Sequence, residues 1–193
     1  IVKILITCVF KYNENATQYS NGELVTLVTS AINTFDNTNL SNFDSVFRHS
    51  NLVKAIDETD GSILSNTCNI RLRKATTIKT GQETGYTSVF GNALYNPNDG
   101  YNAAGGGITQ TTGFYTQGDA VNIHYFDDDG KGNLRRFYLS SGARVYLDST
   151  AGTVDYPNGK VTINAINITS TVNTDSTIDF TVIPAGNDVV ATL

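Results

Sequence analysis

Apolar and polar residues alternate along residues 2–12. Val2, Ile4, Ile6, Cys8, Phe10 and Tyr12 share one face, while Lys3, Leu5, Thr7, Val9 and Lys11 share the other. A period of two predicts a β-strand, and the apolar Leu5 and Val9 predict that its second face is covered as well. The period changes after Ser20-Asn21-Gly22-Glu23, a capping-box start for a helix. Leu24, Val28, Ala31, Ile32 and Phe35 then recur at helical spacing, and the helix is expected to end near Asp36 to Asn39. Ser41 can cap a second helix. Its apolar residues fall into two stripes, Phe43-Val46-Phe47 and Leu52-Val53-Ile56, which are out of phase on a straight helix. A break near His49 to Asn51, with Ser50 as a fresh cap, is therefore predicted, giving two short helices. Gly61 stops the second helix, and residues 62–75 return as a strand.

From Ala75 to about Gln117 the chain is rich in Thr, Gly, Asn and Tyr, with a turn at Asn96-Pro97-Asn98-Asp99-Gly100 and a breaker at Gly105 to Gly107. Strand-like pieces at 84–90 and 108–116 carry few large aliphatics, which suits an interface or an extended arm. Beyond Asp119 short strands alternate with turns. Val121, Ile123 and Tyr125 alternate, Asp127 to Gly132 turns, Leu134 to Leu139 returns, and Ser140 to Gly142 turns again. Arg144 to Leu147 follows, then a strand through Tyr156, the turn Pro157-Asn158-Gly159, the strand Val161 to Ile168, and a final strand Ile178 to Ile183 ended by Pro184. The expected class is α+β: an N-terminal β-α-α-β unit followed by a mostly antiparallel β meander. Residues 1–75 form the docking unit, 76–118 a Gly/Thr-rich insertion or arm, and 119–193 the meander packed on the first unit.

Composition narrows the function. Only 16% of the 193 residues are charged, and the formal net charge is −5. A nucleic-acid binder needs a basic face to displace counterions from phosphates. Here the densest basic group, Arg71, Arg73 and Lys74, alternates with Ile70 and Leu72 and reads as the wet face of a strand, with Arg135 and Arg136 as a lesser pair. No apolar run approaches the about 18 residues of a membrane span. Ile4 to Phe10 has no small-residue cleavage pattern after it and reads as a strand in place of a signal-peptide core. The chain contains no Met, not even at position 1, which leads us to expect a piece cut from a longer polypeptide.

No pattern of reactive residues converges. Asp127-Asp128-Asp129-Gly130-Lys131-Gly132 resembles a calcium loop, but Lys131 and Tyr138 occupy the fifth and twelfth positions, where ligands are required. The simpler reading is a hairpin loop in which Asp and Gly supply turn geometry. Cys8 and Cys68 fit no metal spacing, sit in strand-like runs, and leave both a reduced pair and a bridge open. His49 and His124 have no neighbouring acid or thiol spaced for zinc or a triad. Gly105 to Gly107 is not followed by the Lys-Ser/Thr of a phosphate loop. No catalytic residue, metal or cofactor is expected. Tyr86, Tyr95, Tyr101 and Tyr115 fit sugar or protein contacts as well as they fit small strand cores.

Four stretches are more particular. These are Asn39-Leu40 through Phe43, Phe47-Arg48, Ser50, Leu52 and Ile56-Asp57 to Ser62-Ile63-Leu64-Ser65-Asn66; Tyr125 to Gly130; Gly152 to Val161; and Ile183-Pro184-Ala185-Gly186-Asn187-Asp188-Val189-Val190. Together they resemble the C-terminal region of the baseplate wedge subunit that forms the inner ring in T-even-type contractile phage tails. More distantly, the β-α-α-β opening is similar to the closing domain of baseplate J proteins. The resemblance weakens between Ala75 and Gly118. It implies a non-enzymatic virion protein, assembled in the host cytoplasm, that pairs with copies of itself and binds a larger wedge subunit and neighbouring baseplate proteins. The positions it marks as family motif or interface are Phe43, Phe47, Arg48, Leu52 and Ile56. The apolar four suit a helix core, and Arg48 suits a two-point ion pair with a carboxylate. The alternative is a β-rich tail or surface module that recognises glycans or receptors through Tyr and Asn side chains.

Overall fold

The computed structural model describes residues 1–40, 46–96, 98 and 107–190. They fall into two compact units. One, the helical unit, comprises Ile6–Ile70 and Asn187–Leu193; the other, the barrel unit, comprises Ile1–Leu5 and Arg71–Gly186.

The helical unit follows the expected order. β1 (Val2–Tyr12) begins in the barrel unit and continues here, with its even-numbered residues half-buried and Lys3, Thr7, Val9 and Lys11 exposed. After a single 3-10 turn, α1 (Asn21–Asn39) starts on a complete capping box. Ser20 Oγ accepts from the Glu23 amide, and the Glu23 carboxylate accepts from the Ser20 amide at 2.8 Å. Leu24, Val28 and Phe35 are its buried stripe. Phe35 meets Phe47 edge to face, with ring centroids 6.0 Å apart.

The two predicted short helices need correction. Ser41 and Phe43 lie outside the described residues, but Val46–Phe47 is a strand, β2, and no helix includes it. One helix follows, α2 (His49–Asp57), whose N-cap is Arg48; Ser50 lies inside its first turn. The out-of-phase stripes thus belong to a strand and a helix. β2 pairs antiparallel with Val189–Val190, the last strand among the described residues, placing Val189 opposite Phe47 and Val190 opposite Val46. This strand lies beyond Pro184, where the sequence pattern predicts none. β3 (Ile63–Thr77) neighbours β1 and carries Cys68, Ile70 and Leu72 on its buried face.

The barrel unit is antiparallel, as expected, but it is closed and not an open meander. Its further strands are β4 (Glu83–Val89), β5 (Gln110–Thr111), β6 (Phe114–Thr116), β7 (Asp119–Asp128), β8 (Asn133–Ser140), β9 (Ala143–Asp155), β10 (Lys160–Thr171) and β11 (Thr177–Val182); Val189–Val190 is β12. The order β7-β6-β10-β9-β8 returns on itself because β7 also pairs with β8, giving a five-stranded barrel. The hairpin pattern alone accounts for β7-β8-β9-β10. Closure comes from the three-residue β6, which bridges β10 and β7 and has no periodicity to announce it.

Register shifts interrupt the β8–β9, β10–β6 and β6–β7 ladders, and such bulges bend a sheet toward closure. Gly152 sits at a close approach of two backbones. It pairs with Leu134 on one side and Ile163 on the other, and a Cβ there would strike the backbone of Thr162. Beyond β7 the sheet continues through β5 and β11 to β3. Phe114, Phe126, Leu134, Ile163 and Ile168 are fully buried, with Phe114 stacked on Phe126 at 4.8 Å. Within the Thr- and Gly-rich stretch, Ile78, Tyr86, Phe90, Leu94, Ile108 and Phe114 are buried, and β4 pairs with β10. Most of the Asn96–Gly100 turn, Tyr101, Gly105 and Gly106 lie outside the described residues.

Candidate assembly motif and buried polar networks

The motif residues can be followed one by one. Phe47, Leu52 and Ile56 are at most 1% exposed and form the core of the helical unit, where Leu52 and Ile56 are one helical turn apart on α2. Arg48 stays at the surface. Its guanidinium donates to Asp188 Oδ2 at 2.9 Å, with the two side chains 59% and 45% exposed.

Asp188 serves α2 a second time. Arg48 supplies no side-chain cap, so the first turn of the helix would leave amides open. The His49 amide donates instead to Asp188 Oδ1 at 2.9 Å, which puts a carboxylate where the helix dipole favours negative charge. These two contacts hold the Asp188 carboxyl below its ordinary range, the amide bond contributing most. Segments 140 residues apart in the chain, both quoted above for the family resemblance, therefore meet through one ion pair, one cap and a short ladder. Asp188 was not singled out from sequence, although an acid directly before the apolar pair Val189-Val190 was legible there. His49 Nε2 lies 3.0 Å from the Cys68 carbonyl, which can only accept, so this nitrogen carries the proton.

In the barrel unit the apparent calcium loop divides into two parts with different jobs. Asp129 is the turn residue. It accepts from the amides of Lys131 and Asn133, and Gly130 and Gly132 take positive φ values of 74° and 98°. Asp127 and Asp128, expected in the turn, are fully buried strand residues. Asp127 accepts from Arg135 Nε at 2.9 Å, from Arg144 at 3.2 Å and from the Tyr146 hydroxyl at 2.9 Å. Arg135 also lies over the Tyr146 ring, and Arg144 over Phe137. Burial raises the Asp127 carboxyl, while Arg135, Tyr146 and Arg144 pull it back down.

Asp128 accepts from the Thr109 amide at 2.7 Å and the Tyr156 hydroxyl at 2.6 Å, and burial together with that carboxylate pushes the Tyr156 hydroxyl well up. Arg135, grouped in the sequence with exposed cations, is thus buried; Arg136 is half-buried. The readable signal was register, because Asp127 and Arg135 face each other directly across the hairpin. In the other basic group, Arg71 is exposed, Arg73 comes within 4.0 Å of Asp179, and Lys74 bonds the Val89 carbonyl.

His124 does have an acid beside it. Asp119, five residues earlier, places Oδ2 3.1 Å from Nε2. A carboxylate accepts, so Nε2 carries the proton and the buried Nδ1 is a lone pair with no partner. A second proton would put a donor there facing none. Burial accordingly lowers the His124 pKa, despite the opposing pull of Asp119. Nothing in this pair positions a nucleophile. Among the described residues no group of three or more His, Cys, Asp or Glu is placed to hold a metal ion, and no helix is long and apolar enough to cross a membrane. Of the quoted tyrosines, Tyr86 is buried, Tyr115 half-buried and Tyr95 exposed.

Asp127 and Asp128 thus spend their oxygens on partners within the chain. Residues 4–75 match the family model described as baseplate structural protein gp6, C-terminal domain III. The matched stretch runs from β1 through α1, β2 and α2 into β3. No curated protein sequence matches the chain.

Proposed function

We propose that this chain is a structural component of a contractile phage tail baseplate, assembled in the host cytoplasm, where it builds the inner wedge ring by self-association and binds a larger wedge subunit. One observation carries the reading: the family match covers residues 4–75, the β-α-α-β-like stretch from β1 through α1, β2 and α2 into β3. Residues 1–75 act as the docking unit in this proposal. Arg48 is the motif residue offered to a neighbour, since its guanidinium is the one exposed polar group among Phe47, Arg48, Leu52 and Ile56, and a planar fork can serve two carboxylates.

Sedimentation of the chain at micromolar concentration should show a species larger than the monomer; monomer alone would remove self-pairing. Mixing with the larger wedge subunit of the same tail should give a co-migrating complex. Absence of that complex, with both proteins folded, would remove the wedge reading.

A further inference from the structure

The two cysteines of the helical unit lie together on neighbouring strands. Cys8 is half-buried on β1 and Cys68 is 5% exposed on β3; both are free thiols, with sulfurs 3.0 Å apart. The surroundings hold them in register. Asn66 donates its amide nitrogen to the Val53 carbonyl and to Asp57 Oδ1, at 3.0 and 2.7 Å. That pair of acceptors fixes the orientation of the amide, so Asn66 Oδ1 faces Cys68 and accepts from its thiol at 3.3 Å. The same thiol has Cys8 Sγ within donor reach at 3.0 Å, so its one proton faces two acceptors and the two sulfurs are already in contact. A disulfide needs a separation of about 2.05 Å, so a side-chain adjustment of about 1 Å closes the bridge.

We propose that Cys8 and Cys68 are a reversible disulfide site, oxidised by a low-molecular-weight disulfide such as oxidised glutathione. The Cys8 thiolate attacks one sulfur of the small disulfide, forming a mixed disulfide and expelling one small thiolate. Cys68 then loses its proton and attacks the Cys8 sulfur, expelling the second. Two protons and two electrons leave the protein, and two small thiols are released. The order follows exposure, since Cys8 is the sulfur a solute reaches. Burial and the neighbouring Cys8 push the Cys68 thiol up to about 12, which makes it a slow resolving group at neutral pH. The bridge would close a loop between residues 60 apart, enclosing α1, β2 and α2.

The test uses the whole 193-residue chain under native conditions. It is incubated with graded ratios of oxidised to reduced glutathione, quenched with acid, alkylated after denaturation and weighed as intact protein. Wild type should become two hydrogens lighter, resist alkylation and keep the mass of a single covalent chain without reductant. Its Tm should rise by about 5–10 °C over the reduced form. Cys68→Ser should stop at a single glutathione adduct on Cys8, and Cys8→Ser should remain unmodified. Full alkylation of wild type under excess oxidised glutathione, a bridge between two chains, or a Cys68→Ser protein that takes no adduct would each overturn the site. Reduced wild type, which carries no substitution, keeps the result readable if either variant fails to fold.

Discussion

In the helical unit the decisive carboxylate, Asp188, sits at the surface, its side chain 45% exposed as it holds Arg48 and caps α2. In the barrel unit the decisive carboxylate, Asp127, is fully buried and held by Arg135, Arg144 and Tyr146. The two arrangements have similar partners and different energetics. An exposed pair gains little, because water and salt already satisfy both groups. A buried one is no great net stabiliser either, but removing one partner strands the other without solvent. Contacts of the first kind steer local geometry, whereas those of the second decide whether the core forms.

The largest expected effect tests the buried side of that contrast. Asp127→Ala should cost about 3–5 kcal/mol, read as a fall in the urea midpoint, because the buried Arg135 loses the carboxylate that faces it. A loss similar to that of a surface substitution would erase the distinction. Leu52→Ala should cost about 2–5 kcal/mol, since its side chain is fully buried in the helical unit and leaves a cavity. That value, set beside the first, asks whether the helical unit depends on packing where the barrel also depends on charge.

A smaller effect should appear with pH. The folded pKa of His124 lies below its ordinary value of 6.5, so the unfolded chain takes up the proton first as pH falls. The contribution is complete above pH 6.5 and declines below it. The unfolding midpoint of wild type should therefore fall over that range, and that of His124→Gln should fall less. Equal slopes would show that His124 accepts its second proton in the fold.

The smallest change is expected for Asp188→Asn, a slight destabilisation that shrinks as salt is added. Because the Asp188 carboxyl is lowered from about 3.8, its contribution is present above that pH and disappears as pH falls through the folded value. A salt-independent loss would place the effect in the cap and not in the ion pair.

The sequence disclosed local structure better than closure. Ser20 and Glu23 announced α1 because a capping box is a contact within four residues. The alternation of β1, β3 and β7 was likewise visible, being a property of each strand alone. The two stripes around Phe47 and Leu52 were correctly seen as incompatible with one straight helix. Spacing alone makes them two helices, because the partner that turns Val46–Phe47 into a strand, Val189–Val190, is far away in the sequence. Barrel closure was hidden for the same reason, as β6 has three residues and takes its identity from β10 and β7. Asp127 was misplaced because Asp and Gly are such regular turn residues that a buried Asp beside them reads as one more. Of the motif positions, Leu52 and Ile56 are legible as core from their helical spacing, whereas Phe47 is buried on a strand and the partner of Arg48 requires the fold.

The return of Asp188 and Val189 to the helical unit has a consequence for biosynthesis. Residues Arg71–Gly186 of the barrel unit stand, in chain order, between the two pieces of the helical unit, so a ribosome delivers α1, β2 and α2 long before the residues that complete them. Until Asp188 to Val190 emerge, β2 lacks the strand it pairs with and the α2 amide at His49 lacks its carboxylate. A fragment ending at Ala75 would reproduce this unfinished intermediate, while appending Asn187–Leu193 to it through a short linker would supply the missing strand and cap without the barrel.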